Sequence, residues 1–131
     1  MTRPGRILVV EDDELLREAL AEVLADDGHE VRTATNGVDA LGELEVWEPE
    51  VIVLDLMMPI MDGFAFREEQ RRRDLRSDVP VLVLSAVRDL DAAADRVDAA
   101  ACLPKPFRLE EVLASVSTLL DRSVPEGDPA R

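Results

Sequence analysis

The chain of 131 residues contains one cysteine, Cys102, one histidine, His29, and no tyrosine. A single cysteine excludes an internal disulfide and any cysteine metal cluster. A single histidine excludes multi-histidine zinc sites, and Ser-His-Asp or Cys-His catalysis is not expected. Positive charge is scarce: 15 Lys and Arg stand against 29 Asp and Glu, for a net charge of -14. Such a chain is repelled by nucleic acid, so direct DNA or RNA contact by these residues is not expected. Long apolar runs are also missing. Ile7–Val10 and Val51–Leu54 are too short to cross a bilayer, and no signal-peptide apolar region follows Arg3 and Arg6. The expectation is a cytoplasmic domain with no membrane contact. At 47% hydrophobic residues it can bury one core of ordinary size.

The residues present alternate between two patterns. Ile7–Val10 is an apolar run closed by Glu11-Asp12-Asp13, and it predicts a strand buried on both faces. Leu15, Leu16, Ala19, Leu20, Val23 and Leu24 then recur at helical spacing, with Asp12 or Asp13 as the cap and Gly28 as the stop. His29–Ala34 predicts a second strand, and Val38, Leu41 and Leu44 a second helix ending near Trp47 and Pro49. Val51–Leu54 is a third strand closed by Asp55, followed by a helix from about Phe64. Val81–Leu84 is a fourth strand ending at Ser85, and Asp89–Val97 a short helix. Ala99–Leu103 is a fifth strand, and a last helix carries Leu109, Val112, Leu113, Val116, Leu119 and Leu120. This alternation predicts an α/β fold with a five-stranded parallel sheet, doubly wound by helices on both faces. One domain is expected over residues 1–122, with a flexible tail over 123–131.

In such sheets ligands bind outside the carboxyl ends of the strands. Glu11-Asp12, Asp55 and Ser85 all sit at that edge, and Lys105 follows the fifth strand. One carboxylate at a strand end is commonplace as a helix cap. Three converging with a lysine would raise one another's pKa unless a cation sits among them. Mg²⁺ is the natural choice, because it takes oxygen ligands. Asp13, one place beyond the pair, is assigned as a helix cap rather than a ligand.

Ile7-Leu-Val-Val-Glu-Asp-Asp13, Val51-Ile-Val-Leu-Asp-Leu-Met-Met-Pro-Ile-Met-Asp-Gly63, Leu84-Ser-Ala86 and Leu103-Pro-Lys-Pro-Phe107 resemble the signature stretches of response-regulator receiver domains. The resemblance runs from about Arg6 to Leu120 and is closest to the stand-alone, chemotaxis-regulator-like kind. It implies a flavodoxin-like sheet of order 2-1-3-4-5. By the same resemblance Asp55 is the phospho-acceptor, Ser85 bonds the phosphoryl group and Lys105 pairs with it. Mg²⁺ is held by Asp12, Asp55 and the backbone carbonyl of Met57, with Glu11 acting through water. The Lys105-Pro106 peptide is implied to be cis. The implied function is a Mg²⁺-dependent signalling switch rather than a turnover enzyme, one that phosphorylates and dephosphorylates itself. Its phosphoryl source is a sensor histidine kinase or a phosphotransfer protein. Its output goes through a protein partner or a self-dimer.

Three departures from that pattern matter. The family's usual aromatic, three places before the lysine, is Cys102 here, which is expected to act as a small buried hydrophobe. The stretch from Ser85 to Lys105 is about two residues short, and the deletion is placed around Leu90–Val97. In the third helix, Arg67 through Asp74 offers no apolar residue, so a poor buried stripe is expected. Arg71-Arg-Arg73 is read as a solvated helix end. Three other functions compete with this one. A haloacid-dehalogenase-type phosphohydrolase needs an acid two places after the nucleophile, where Met57 stands. A dinucleotide-binding domain needs a glycine-rich turn after the first strand, where acids stand instead. The full set Glu11, Asp12, Asp55, Ser85 and Lys105 argues against a pseudo-receiver that only docks and is not controlled by phosphorylation, while Cys102 in place of the aromatic keeps that alternative open.

Overall fold

The computed structural model describes residues 3–122. The tail expected over 123–131 lies outside the described residues. Five strands and five helices alternate: β1 (Arg6–Val10), α1 (Glu14–Asp26), β2 (Glu30–Ala34), α2 (Gly37–Val46), β3 (Val51–Asp55), α3 (Gly63–Arg72), β4 (Val81–Ser85), α4 (Leu90–Arg96), β5 (Ala101–Pro104) and α5 (Leu109–Arg122). All neighbouring strands are parallel, in the order β2-β1-β3-β4-β5.

The strands divide their side chains between two cores, as period-two alternation requires. Ile7 and Val9 of β1, Val51 and Val53 of β3, and Leu82 and Leu84 of β4 face α1 and α5, where Leu20, Leu24, Val112, Val116, Leu119 and Leu120 meet them. Leu8, Val10, Ile52, Leu54, Val81 and Val83 face the other way, onto Ala40, Leu41 and Leu44 of α2 and Phe66 of α3. Because both faces are covered, β1, β3 and β4 read as unbroken apolar runs rather than alternating ones.

Helix starts follow side-chain caps. Asp13 accepts from the Leu16 amide, Asn36 from Asp39, Asp62 from Ala65 and Asp89 from Ala92. Asp13, not Asp12, therefore caps α1, which leaves Asp12 outside the helix. Gly28 closes the α1 end at φ +98°, a conformation that side chains resist.

Two strand starts differ from expectation. The His29 amide bonds the Leu24 carbonyl at the end of α1, so β2 opens one residue later. The Ala99 amide bonds Ala94 at the end of α4, and pairing with β4 begins only when the Ala100 amide reaches Val81. A larger difference lies in α3. Its buried side is not poor but polar: Arg67 and Gln70 are buried beside Phe66. Arg67 donates from Nε to the Val97 carbonyl at 2.8 Å and from Nη1 to Gln70 Oε1 at 2.6 Å. Gln70 Nε2 passes the chain on to the Arg76 carbonyl at 3.1 Å. Arg71, Arg72 and Arg73 are exposed and pair with Asp98, Glu69 and Glu45, which fits a solvated helix end.

Candidate functional site

The strand order turns back at β1, whose two neighbours are β2 and β3. Connections leaving β1 and β3 therefore diverge to opposite faces, and a crevice opens above their carboxyl ends. Glu11 and Asp12 enter it from the end of β1, and Asp55 from the end of β3. The Glu11 amide bonds the Ala34 carbonyl, so the turn after β1 is still tied to β2 as it leaves the sheet.

Glu11 is 1% and Asp55 3% exposed, while Asp12 is open to solvent. One carboxylate oxygen from each of the three lies within 4.8 Å of the others. Lys105 reaches in from the end of β5, with Nζ 3.0 Å from Glu11 Oε1 and 3.4 Å from Asp55 Oδ2. Its amide donates to the Ser85 carbonyl at 2.9 Å, which pins the lysine to the end of β4. The Lys105–Pro106 peptide is cis. Asp55 Oδ1 accepts from the Met57 amide at 3.2 Å, and Glu11 Oε2 from the Asp13 amide at 3.1 Å.

Burial pushes the Glu11 carboxyl up to about 7, against the pull of the Asp13 amide and the Lys105 ammonium. Burial also raises Asp55, although Lys105 and the Met57 amide oppose it. Burial draws Lys105 down, but the hydrogen bond to Glu11 and the charge of Asp55 outweigh it and raise the ammonium. Two buried acids and one exposed acid sharing a crevice with a single ammonium are short of positive charge. The donor set is all oxygen and suits a hard divalent cation such as Mg²⁺.

The structure thus brings Glu11, Asp12, Asp55 and Lys105 together. Ser85 is buried at the same edge, where its Oγ accepts from the Val87 amide at 3.3 Å and bonds none of the four. The Met57 side chain is exposed, and its amide rather than its side chain touches Asp55. Cys102 lies in β5 opposite Val83 and packs against the α2–α4 side core. It is half-buried rather than buried, because β5 is an edge strand with α4 covering only part of it. Burial and the charges of Asp91 and Asp95 raise its thiol.

Arg17, which the sequence did not single out, also belongs to this neighbourhood. Its Nη1 donates to the carbonyls of Glu11 at 3.0 Å and Asp12 at 3.3 Å. The only signal in the sequence was its place one helical turn after Asp13.

Comparison with known proteins falls on the same stretch of chain. Residues 7–117 match the family model of the response regulator receiver domain. The response regulator MprA of Mycobacterium sp. (strain KMS) is 43% identical over 96% of this chain and 55% of that protein. The chain thus spans about half the length of the curated relatives it matches. Among solved structures, chemotaxis protein CheY4 of Vibrio cholerae superposes with a TM-score of 0.81 at 29% identity, over 89% of this chain and 99% of that one. The response regulator protein TrrA of Thermotoga maritima, in complex with Mg(2+)-BeF, gives a TM-score of 0.74 at 31% identity, over 87% of this chain and 97% of that one.

Proposed function

The chain belongs to the response regulator receiver domain family, a family of signalling switches rather than turnover enzymes, and from that membership we propose that Asp55 is its phospho-acceptor. The donor is a phosphohistidine on a sensor kinase or a phosphotransfer protein. An Asp55 oxygen bonds to phosphorus while the P–N bond of the donor breaks, and the bonding pair leaves with the imidazole nitrogen. The observation that carries this reading is a buried carboxylate at a strand end, with an ammonium 3.4 Å away and two further acids beside it. A carboxylate is a weak nucleophile, but phosphoryl transfer has a loose transition state and depends on positioning and charge neutralisation.

Glu11, Asp12, Asp55 and the Met57 carbonyl would hold Mg²⁺, with Glu11 acting through water. When bound, the cation offsets the negative charge of the acids and of the phosphoryl oxygens. Lys105, already directed at Asp55, is placed to pair with the incoming group. Ser85, buried at the end of β4, supports it with a hydroxyl that can donate to a phosphoryl oxygen. Output passes to a protein partner or a second copy. The expectation of no nucleic-acid contact concerns these 131 residues alone. No helix among the described residues is long and apolar enough to cross a membrane.

Incubation with a small acyl-phosphate donor and Mg²⁺ should add one phosphoryl mass to the intact protein. The gain should vanish in Asp55→Asn and on chelation of the metal. Uptake by Asp55→Asn at the wild-type rate would sink the assignment.

A further inference from the structure

The turn between β1 and α1 carries two of the three acids, yet its parts are held unequally. Glu11 is fixed at both oxygens, by the Asp13 amide and by Lys105. Among the described residues, no hydrogen bond or ion pair from another group holds the exposed Asp12 carboxylate, which is placed by its backbone. That backbone leaves β1 after the Glu11 amide has bonded Ala34 and before the helical bonds of α1 begin. The carbonyls of Glu11 and Asp12 are consequently outside both ladders. A single nitrogen of Arg17, Nη1, takes both of them, at 3.0 and 3.3 Å.

Four successive acids, Glu11 to Glu14, stand shortly before Arg17 in the chain. Among the described residues, none of them forms an ion pair with it, and the guanidinium is spent on carbonyls instead. Nor is the side chain needed to form the helix. The Arg17 amide bonds the Asp13 carbonyl at 2.8 Å whatever the side chain is. Clamping two successive carbonyls fixes the two peptide planes that flank the Asp12 Cα, and their relative orientation sets the direction in which the Asp12 side chain leaves the backbone.

We propose that Arg17 is a positioning residue of the cation site, holding the Glu11–Asp12 turn in the shape that lets Asp12 ligate Mg²⁺. The inference rests on the Mg²⁺ reading above. Mg²⁺ tolerates little departure from octahedral geometry, so the placement of an otherwise unheld ligand governs affinity. Groups that orient metal ligands typically contribute tenfold or more to it.

Coulomb's law makes the opposite prediction, which gives the test its power. Removing a cation near a divalent site should tighten Mg²⁺ binding if charge alone mattered. The experiment is a MgCl₂ titration followed by amide NMR shifts on wild type, Arg17→Met, Arg17→Lys and Asp12→Ala, with urea unfolding of each in the absence of Mg²⁺. Arg17→Met should bind about tenfold more weakly, and Asp12→Ala should not bind measurably. Arg17→Lys keeps the charge, but its ammonium ends short of the position of Nη1, so it should fall between wild type and Arg17→Met. Urea midpoints should stay close to wild type. The phosphorylation rate of Arg17→Met with the acyl-phosphate donor should return to the wild-type level once Mg²⁺ saturates. Unchanged or tighter binding in Arg17→Met overturns the inference while leaving the Mg²⁺ reading intact. Failure of the wild type to bind Mg²⁺ overturns both.

Discussion

Ile60 illustrates what happens at the residue scale beside the site. It sits in the loop between Asp55 and α3 at φ +71°, and the Met61 amide bonds the Pro59 carbonyl across it at 2.8 Å. That is a γ-turn around a β-branched residue, a conformation costing roughly 1–3 kcal/mol. The Ile60 side chain is 83% exposed and regains little of that cost by packing. Ile60→Gly should therefore stabilise the protein by about 1 kcal/mol, since relief of strain outweighs the extra chain entropy of glycine. Urea unfolding without Mg²⁺ checks it, and a lower midpoint would show that the turn is unstrained. Nothing in the sequence announced this turn, because isoleucine has no preference for positive φ. Gly63, three residues on, was legible as a loop glycine, but its reason was not. A Cβ there would lie 2.7 Å from the Asp55 carbonyl oxygen, so the start of α3 can approach Asp55 only where a side chain is missing.

At the scale of elements, α3 is where expectation and structure parted most. Arg67 to Asp74 contains no apolar residue, and hydrophobic periodicity depends only on such residues. It cannot see that Arg67 and Gln70 satisfy each other and the carbonyls of Val97 and Arg76. Arg67 is 3% exposed, and burial draws its guanidinium down, with Arg71 adding to the pull. Its bond to Val97 ties α3 to the C-cap of α4. Arg67→Met should leave the Val97 carbonyl and Gln70 Oε1 without their donor, at a cost of about 2 kcal/mol. Amides at the α4 end, those of Val97 and Ala99, should exchange faster than the α5 amides by a factor larger than the global loss explains. Uniform acceleration across the molecule would show that Arg67 supports the core generally and does not tie down α4.

On the scale of the whole molecule, the phosphorylation proposed at Asp55 would have to convert a local charge into a changed surface. It would add roughly -1.5 to -2 charge at Asp55, and the Ser85 hydroxyl, whose oxygen accepts from the Val87 amide, would turn to donate its proton to the new oxygens. The loop from Ser85 to Asp89 should respond first, because the Val87 amide is held by that same hydroxyl. On the β5 side, Cys102 is small and half-buried, so it brings little new buried area to either state. The phosphoryl group can bias two states only by its differential interaction with them. Amide exchange of the two forms should therefore change most from Ala86 through α4 and less around Cys102 and the start of α5. Equal and concerted changes in both regions would show that the cysteine does not weaken the coupling.

The sequence by itself determined the order of elements, the parallel sheet and the residues at its carboxyl edge. Apolar runs closed by acids can be read locally, since each strand and its terminal residue are neighbours in the chain. Tertiary structure alone decided how those residues relate. Lys105 meets Glu11 from 94 positions away, Arg17 turns from solvent to the Glu11–Asp12 carbonyls, and Arg67 crosses to α4. Contacts of that kind depend on side-chain direction and on which carbonyls the ladders leave open, and neither is encoded by residue type or by spacing along the chain.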